Sequence, residues 1–209
     1  MSEPRFANEH HFSTHDGVSL FFRHWPATSP ERRGAVILFH RGHEHSARMA
    51  HLVDELDMPD FDFFAWDSRG HGKSPGERAA WAHDYAPRIR CQVLASPAFK
   101  IKLYVPLARP GLRLMQRLRG NFFVSSYIKS KFLTHDTSRQ ASYDSDPLIS
   151  RAISVNILLD LYDVAERVVA DAQAITVPTQ LLISGKDWVV HHGPQHAFFE
   201  RLGTAVAAQ

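Results

Sequence analysis

Cysteine is almost missing from this chain. Cys91 is the one thiol in 209 residues, so no internal disulfide can form and a disulfide-stapled secreted fold is excluded. Long apolar runs are missing too: none approaches the roughly 18 residues of a membrane-spanning helix. Met1 to His11 holds no apolar core of a secretory leader. Together these absences predict a cytoplasmic chain. Internal repeats and low-complexity tracts are also lacking. A further absence is local. Between Asp84 and Asp136 there is no acidic residue, while Arg88, Arg90, Lys100, Lys102, Arg109, Arg113, Arg117, Arg119, Lys129 and Lys131 supply ten positive charges. The net charge of +2 therefore splits into a basic middle and a remainder of −8. Such a split reads either as a solvated charged face or as a surface that meets something anionic, such as phospholipid or an acidic substrate.

What is present is ordinary for one folded domain, or a core with a lid: 44% hydrophobic and 22% charged residues. The segment His11–Trp25 reads as a hairpin around the turn dipeptide Asp16-Gly17. The run Ala35–Phe39 reads as a strand buried on both faces. Ser46 is the expected N-cap of a helix carrying Met49, Leu52, Val53 and Leu56. Phe61–Trp66 and Cys91–Ala95 are further strands, with Cys91 expected in the core, and Ala79–Arg90 reads as a helix broken at Pro87. From Phe99 to Ile175 amphipathic helices replace strands, the last spanning Ile153–Ala174. Thr179–Ser184 returns to a strand, and Gln195–Leu202 is a final helix stopped by Gly203. Strands alternating with helices predict an α/β class with a mostly parallel sheet flanked by helices. The expected organisation is residues 1–98 as the first part of the core, 99–175 as a helical lid, and 176–209 as the rest of the core.

Three segments carry a family likeness. His40-Arg41-Gly42-His43-Glu44-His45-Ser46 follows a strand and resembles the His-Gly-x-Gly-Glu-His-Ser motif of monoacylglycerol lipases. Asp67-Ser68-Arg69-Gly70-His71-Gly72-Lys73-Ser74 resembles their Asp-x-Arg-Gly-His-Gly-x-Ser turn. Leu181-Leu182-Ile183-Ser184-Gly185-Lys186-Asp187 resembles the strand that delivers their triad acid. The chain thus resembles the monoacylglycerol-lipase or serine-aminopeptidase (lysophospholipase-like) type of the α/β-hydrolase superfamily. It also resembles the hydrolase half of bacterial proteins fused to a methyltransferase. The resemblance implies a serine ester hydrolase acting on a small acyl ester, with Asp187 as triad acid and the Gly42 N–H as an oxyanion donor. Arg41 and His43 replace glycines of the motif, and the acid motif is one residue short.

The nucleophile does not fit that pattern. The fold's chemistry needs a serine on a sharp strand-to-helix turn, Gly-x-Ser-x-Gly, whose following residue supplies a backbone N–H to the oxyanion. The literal match is Gly72-Lys73-Ser74-Pro75-Gly76, and Pro75 has no N–H to give. Ser74 also lies eight residues past Trp66, the end of the preceding strand. Ser96 precedes Pro97 and shares the defect, and Ser184 sits on the strand that bears the acid. A strand–elbow–helix unit takes roughly 30 residues, yet only the sixteen from Pro75 to Arg90 fill its place. An internal deletion that leaves Ala79-Ala80-Trp81-Ala82 as the remnant of the elbow helix accounts for this. His191, His192 and His196 follow Asp187 before any further strand, so the catalytic histidine is also expected to be missing.

The expectation is an incomplete α/β-hydrolase fold, catalytically impaired, with no cofactor. A non-catalytic scaffold that binds a ligand or an anionic membrane surface through the basic stretch 88–131 is the alternative. A metal protein built on His40, His43, His45 and Glu44 is a further one, although no His-Glu-x-x-His spacing is present. Nucleic-acid binding is not expected, since aromatic residues of a lid account for Tyr104, Phe122, Phe123 and Tyr127 among the basic residues.

Overall fold

The computed structural model describes residues 4–14, 16–76, 89–126 and 128–203. The expected helix Ala79–Arg90 and its remnant Ala79-Ala80-Trp81-Ala82 fall almost wholly outside them. The chain forms two compact units, one of Met1–Ala80 with Ser142–Arg151 and one of Trp81–Ala141 with Ala152–Gln209.

The first unit is built on a four-stranded sheet. Strands β1 (Asn8–Ser13) and β2 (Ser19–Trp25) form the expected antiparallel hairpin. Its turn closes through Gly17, whose φ of +80° suits glycine, and through the Gly17 N–H to the Thr14 carbonyl at 2.9 Å. β4 (Phe61–Trp66) lies centrally, antiparallel to β2 and parallel to β3 (Gly34–Leu38). Parallel neighbours need a crossover, and residues 39–60 supply one with helix α1 (Ala50–Glu55). The strand period of two turns Phe63 and Ala65 of β4 inward, against Trp25, Met49 and Val53. On the other face of the sheet His24 stacks on Phe64 with ring centroids 4.4 Å apart.

Two expectations change here. β3 is an edge strand and is not buried on both faces: Ile37 is 55% exposed, and Phe39 just beyond the strand is 61% exposed. It has β4 on one side and no strand on the other among the described residues. Ser46 is not an N-cap. A single 3-10 turn, Ser46–Met49, precedes α1, and Ser46 lies inside it. The Ser46 hydroxyl accepts from Arg23 Nη1 at 2.6 Å.

The second unit pairs β5 (Gln92–Ala95) with β8 (Thr179–Leu182) in parallel. Helix α2 (Ala108–Arg119) follows β5. A short antiparallel pair, β6 (Phe123–Ser125) with β7 (Ala152–Ser154), adds strands to a stretch whose sequence reads as helical. Helix α3 (Thr137–Ser145) lies between them in sequence. Val155, Leu158, Leu159 and Tyr162 of helix α4 (Val155–Ala170) are buried, as is Phe198 of α5 (His192–Arg201). Phe99 packs on Phe198 with the rings tilted and their centroids 4.6 Å apart. Cys91, expected in the core, is exposed and lies one residue before the strand.

Candidate functional site

In the first unit, the loop after β3 and the turn after β4 are held together by side chains of the two motifs. Asp67 is fully buried. Its Oδ1 accepts the Ser46 N–H at 2.6 Å and its Oδ2 the Lys73 N–H at 2.8 Å. A buried carboxylate survives when backbone donors replace its water, and these two do so. Gly72 has φ +52°, and a Cβ there would run into the Asp67 carboxylate and come within 2.8 Å of His45 Cβ. Glycine is therefore required beside Asp67.

Two histidines complete the tie. His40 Nε2 accepts the Ser68 N–H at 3.0 Å, so that nitrogen carries no proton, and Nδ1–H donates to the Arg41 carbonyl at 2.8 Å. Burial pushes the His40 pKa below its ordinary value. His71, with its ring 5.0 Å from that of His40, faces two carbonyls: Arg69 from Nδ1 and Gly42 from Nε2, each at 2.9 Å. Carbonyl oxygens only accept, so a ring with a proton on each nitrogen donates to both and a neutral ring to one. These roles of Asp67, His40 and His71 were not read from the sequence, although the Asp-x-Arg-Gly-His-Gly spacing was the signal for them.

Gly42 is exposed, with open space where a Cβ would stand, and its N–H meets no acceptor among the described residues. The neighbouring polar residues serve the loop itself. Glu44, buried, forms a two-point pair with Arg41 at 3.1 and 3.2 Å. His45, also buried, meets Asp146 at 2.9 Å, and His43 Nδ1 lies 2.9 Å from the Ser150 carbonyl. The histidines of the suspected metal cluster are thus engaged separately. Among the described residues no three His, Cys, Asp or Glu side chains are arranged to hold a metal ion.

Ser74 is 7% exposed. Its hydroxyl donates to the Asp67 carbonyl at 2.6 Å and accepts the Phe21 N–H at 2.9 Å. It pins the turn to β2 and meets no histidine in these bonds. Ser96, the residue after β5, has φ +43°, the strained backbone expected of an elbow at a strand tip. Its hydroxyl accepts the Ser184 N–H at 3.2 Å, and Pro97 follows it.

Asp187 belongs to the second unit, half-buried after β8. Its Oδ1 accepts the N–H groups of Val189 and Val190 at 2.7 and 2.8 Å. Oδ2 takes no hydrogen bond among the described residues. Such a carboxylate is oriented by backbone and has one oxygen free for a donor. His191 precedes α5, while His192 and His196 lie within it, and none bonds Asp187 among the described residues.

Comparison with known proteins matches this architecture. The structure superposes on a soluble variant of the monoglyceride lipase from Saccharomyces cerevisiae in complex with a substrate analog, with a TM-score of 0.78 at 13% identity, covering 97% of this chain and 84% of that one. The chain therefore has an α/β-hydrolase fold. The profile of the family described as serine aminopeptidase, S33, matches residues 30–83 and 78–208, in two pieces that meet at 78–83. The chain belongs to that family. It is 53% identical to the uncharacterized protein YnbC of Escherichia coli (strain K12) over 245 positions, covering 97% of this chain and 42% of that protein. It is 26% identical to the monoglyceride lipase of Mus musculus over 224 positions, covering 85% of this chain and 72% of that one. The chain thus spans less than half the length of the Escherichia coli relative. The first alignment uses about 203 residues of this chain, so about 42 of its positions have no counterpart here. The second uses about 178 and leaves about 46. Among the described residues no helix is long and apolar enough to cross a membrane.

Proposed function

We propose that this α/β-hydrolase related to monoglyceride lipases is a binding scaffold for small lipid-like esters, with its acyl-transfer machinery incomplete. The observation that carries the reading is the state of Ser74. The serine of the Gly-x-Ser-x-Gly match is buried, its hydroxyl is engaged both by the Asp67 carbonyl of the turn and by the Phe21 N–H of β2, and Pro75 cannot supply the oxyanion N–H. The break in the family match at 78–83 and the unmatched positions of both alignments support an internal deletion of the strand and elbow that carry the nucleophile.

Two parts of the apparatus remain in this reading. The free Gly42 N–H is the oxyanion donor, and Asp187 is the triad acid, oriented by Val189 and Val190. Without a nucleophile neither accelerates acyl transfer, because triad members act as a unit. The ligand class rests on the names of the relatives, which include monoglyceride lipases. In the same reading the basic stretch 88–131 faces an anionic membrane surface. The lone Cys91 suits a reducing compartment, and we place the chain in the cytoplasm.

The test is reaction of the folded chain with a fluorophosphonate, which captures activated serines, followed by peptide mapping. No adduct is the expected result. An adduct on Ser74, Ser96 or any other serine overturns the reading.

A further inference from the structure

Residues 100–102 and 189–191 run side by side in the second unit. The Lys102 N–H donates to the Val189 carbonyl at 2.8 Å and the His191 N–H to the Lys100 carbonyl at 2.9 Å. These bonds flank an antiparallel bridge between Ile101 and Val190. Side chains of extended segments alternate in direction. Val190 is buried and Ile101 half-buried, so these two turn inward, and Lys100, Lys102 and His191 share the other side. Lys102 Nζ donates to the Asp187 carbonyl at 2.5 Å, a contact that anchors the ammonium without cancelling its charge. Lys100 and His191 make no ion pair among the described residues.

The electrostatics at His191 show how one-sided this patch is. Burial first, and then Lys100, Lys102 and His192, push the His191 pKa below its ordinary value, and no carboxylate stands among the groups acting on it. Asp187 accepts the N–H groups of Val189 and Val190. The first turn of α5 holds no acid, and none occurs between Asp84 and Asp136. Elsewhere in this unit neighbouring cations do have partners: Arg109 pairs with Asp163 and Glu166, and Arg113 with Asp163. Like charges held together repel, and an anion seated between them turns that repulsion into attraction. A carboxylate would bring a single charge and a two-oxygen fork. A phosphate group brings nearly two charges and three acceptor oxygens. That matches two ammonium groups and an imidazole that takes up a proton as the anion arrives. We infer that Lys100, Lys102 and His191 form a binding site for a phosphate group, free or carried by a small ester. This rests on the reading of the chain as a binding scaffold, gives its ligand a charge, and is independent of ester hydrolysis.

The test is isothermal titration calorimetry of the full chain with inorganic phosphate, glycerol phosphate, acetate and the neutral monoglyceride monocaprylin, all at one ionic strength. The wild type is compared with Lys100→Gln/Lys102→Gln, in which glutamine keeps a donor for the Asp187 carbonyl. Lys100→Gln alone, at an exposed position, is the second variant, and each protein is checked for native circular dichroism. Inorganic phosphate and glycerol phosphate are expected to bind the wild type and acetate is not. The double variant loses about tenfold or more in affinity, and the single variant part of that. The His191 pKa, followed by its ring-proton resonances, rises when phosphate is added, because the anion favours the imidazolium. Tighter binding of glycerol phosphate identifies an ester as the ligand, and tighter binding of the inorganic ion a free phosphate; both support the site. Unchanged affinity in the folded variants, acetate bound as tightly as phosphate, or a His191 resonance indifferent to phosphate overturns the inference. Monocaprylin binding without phosphate binding overturns it and leaves the scaffold reading in place. Binding of neither overturns both.

Discussion

His40 sets a pH dependence that can be read at one residue. Its Nε2 is committed as an acceptor to Ser68, and burial followed by the neighbouring His71 disfavours its cation, against the Arg41 carbonyl, Asp67 and Glu44, which favour it. The folded-state value thus lies below the ordinary 6.5. A group depressed in this way leaves stability intact above 6.5, and stability falls as the pH drops and the unfolded chain takes up the proton more readily. His191, depressed by burial and by Lys100 and Lys102, acts with the same sign. Asp62, held low by the hydrogen bond with His24, loses its contribution only near its ordinary 3.8, so the windows separate. In His40→Gln an amide oxygen can take the Ser68 N–H without titrating. The urea midpoint of this variant is expected to fall less than that of the wild type from about pH 7 to about pH 5, and subtraction cancels His191. Parallel curves would show that His40 is not the group responsible.

At the scale of elements, β3 is an edge strand with an exposed apolar side chain, Ile37. Among the described residues its outer edge meets no strand, and no charged residue or proline stands from Gly34 to Phe39 to blunt it. Ile37→Lys is expected to slow concentration-dependent aggregation, followed by light scattering, with little change in the unfolding midpoint. Aggregation at the wild-type rate would move the liability elsewhere. The same strand shows what the sequence discloses. A hairpin around Asp16-Gly17 and the strand Phe61–Trp66 are legible because their signals are local: a turn dipeptide and an apolar run of strand length. Ala35–Phe39 is legible as a strand, but an apolar run records the environment it suits and not which neighbour is present. Ser46 does not cap the helix that its letter suggests, because Asp67, 21 residues on, accepts its N–H and Arg23 donates to its hydroxyl. Three-residue β6 and β7 are too short for any period to register. Helix α5 starts at His192 and not at Gln195, since Pro194 is tolerated in a first turn. At the site, the missing N–H after Ser74 is legible in the letter of Pro75, whereas the left-handed backbone of Ser96 is not, because φ at one residue leaves no trace in its letter.

At the scale of the whole molecule, the proposed deletion and the bare edge of β3 describe one shortage. Inserting a strand–elbow–helix unit of roughly 30 residues between Gly76 and Arg90 is expected to cover Ile37 and Phe39 and to raise the melting temperature by about 5 °C or more. An unchanged melting temperature in a folded chimaera would sink the deletion reading. The clamp around Asp67 bears on a different kind of experiment. Asp67, Gly72 and Ser74 hold a turn and present no atom in the role of reactant, yet replacing any of them removes the turn. In a complete relative with the same clamp, a genetic screen scored on turnover would rank such positions with the nucleophile. A parallel measurement of soluble protein abundance would separate them, because these variants vanish from the cell while a nucleophile variant accumulates.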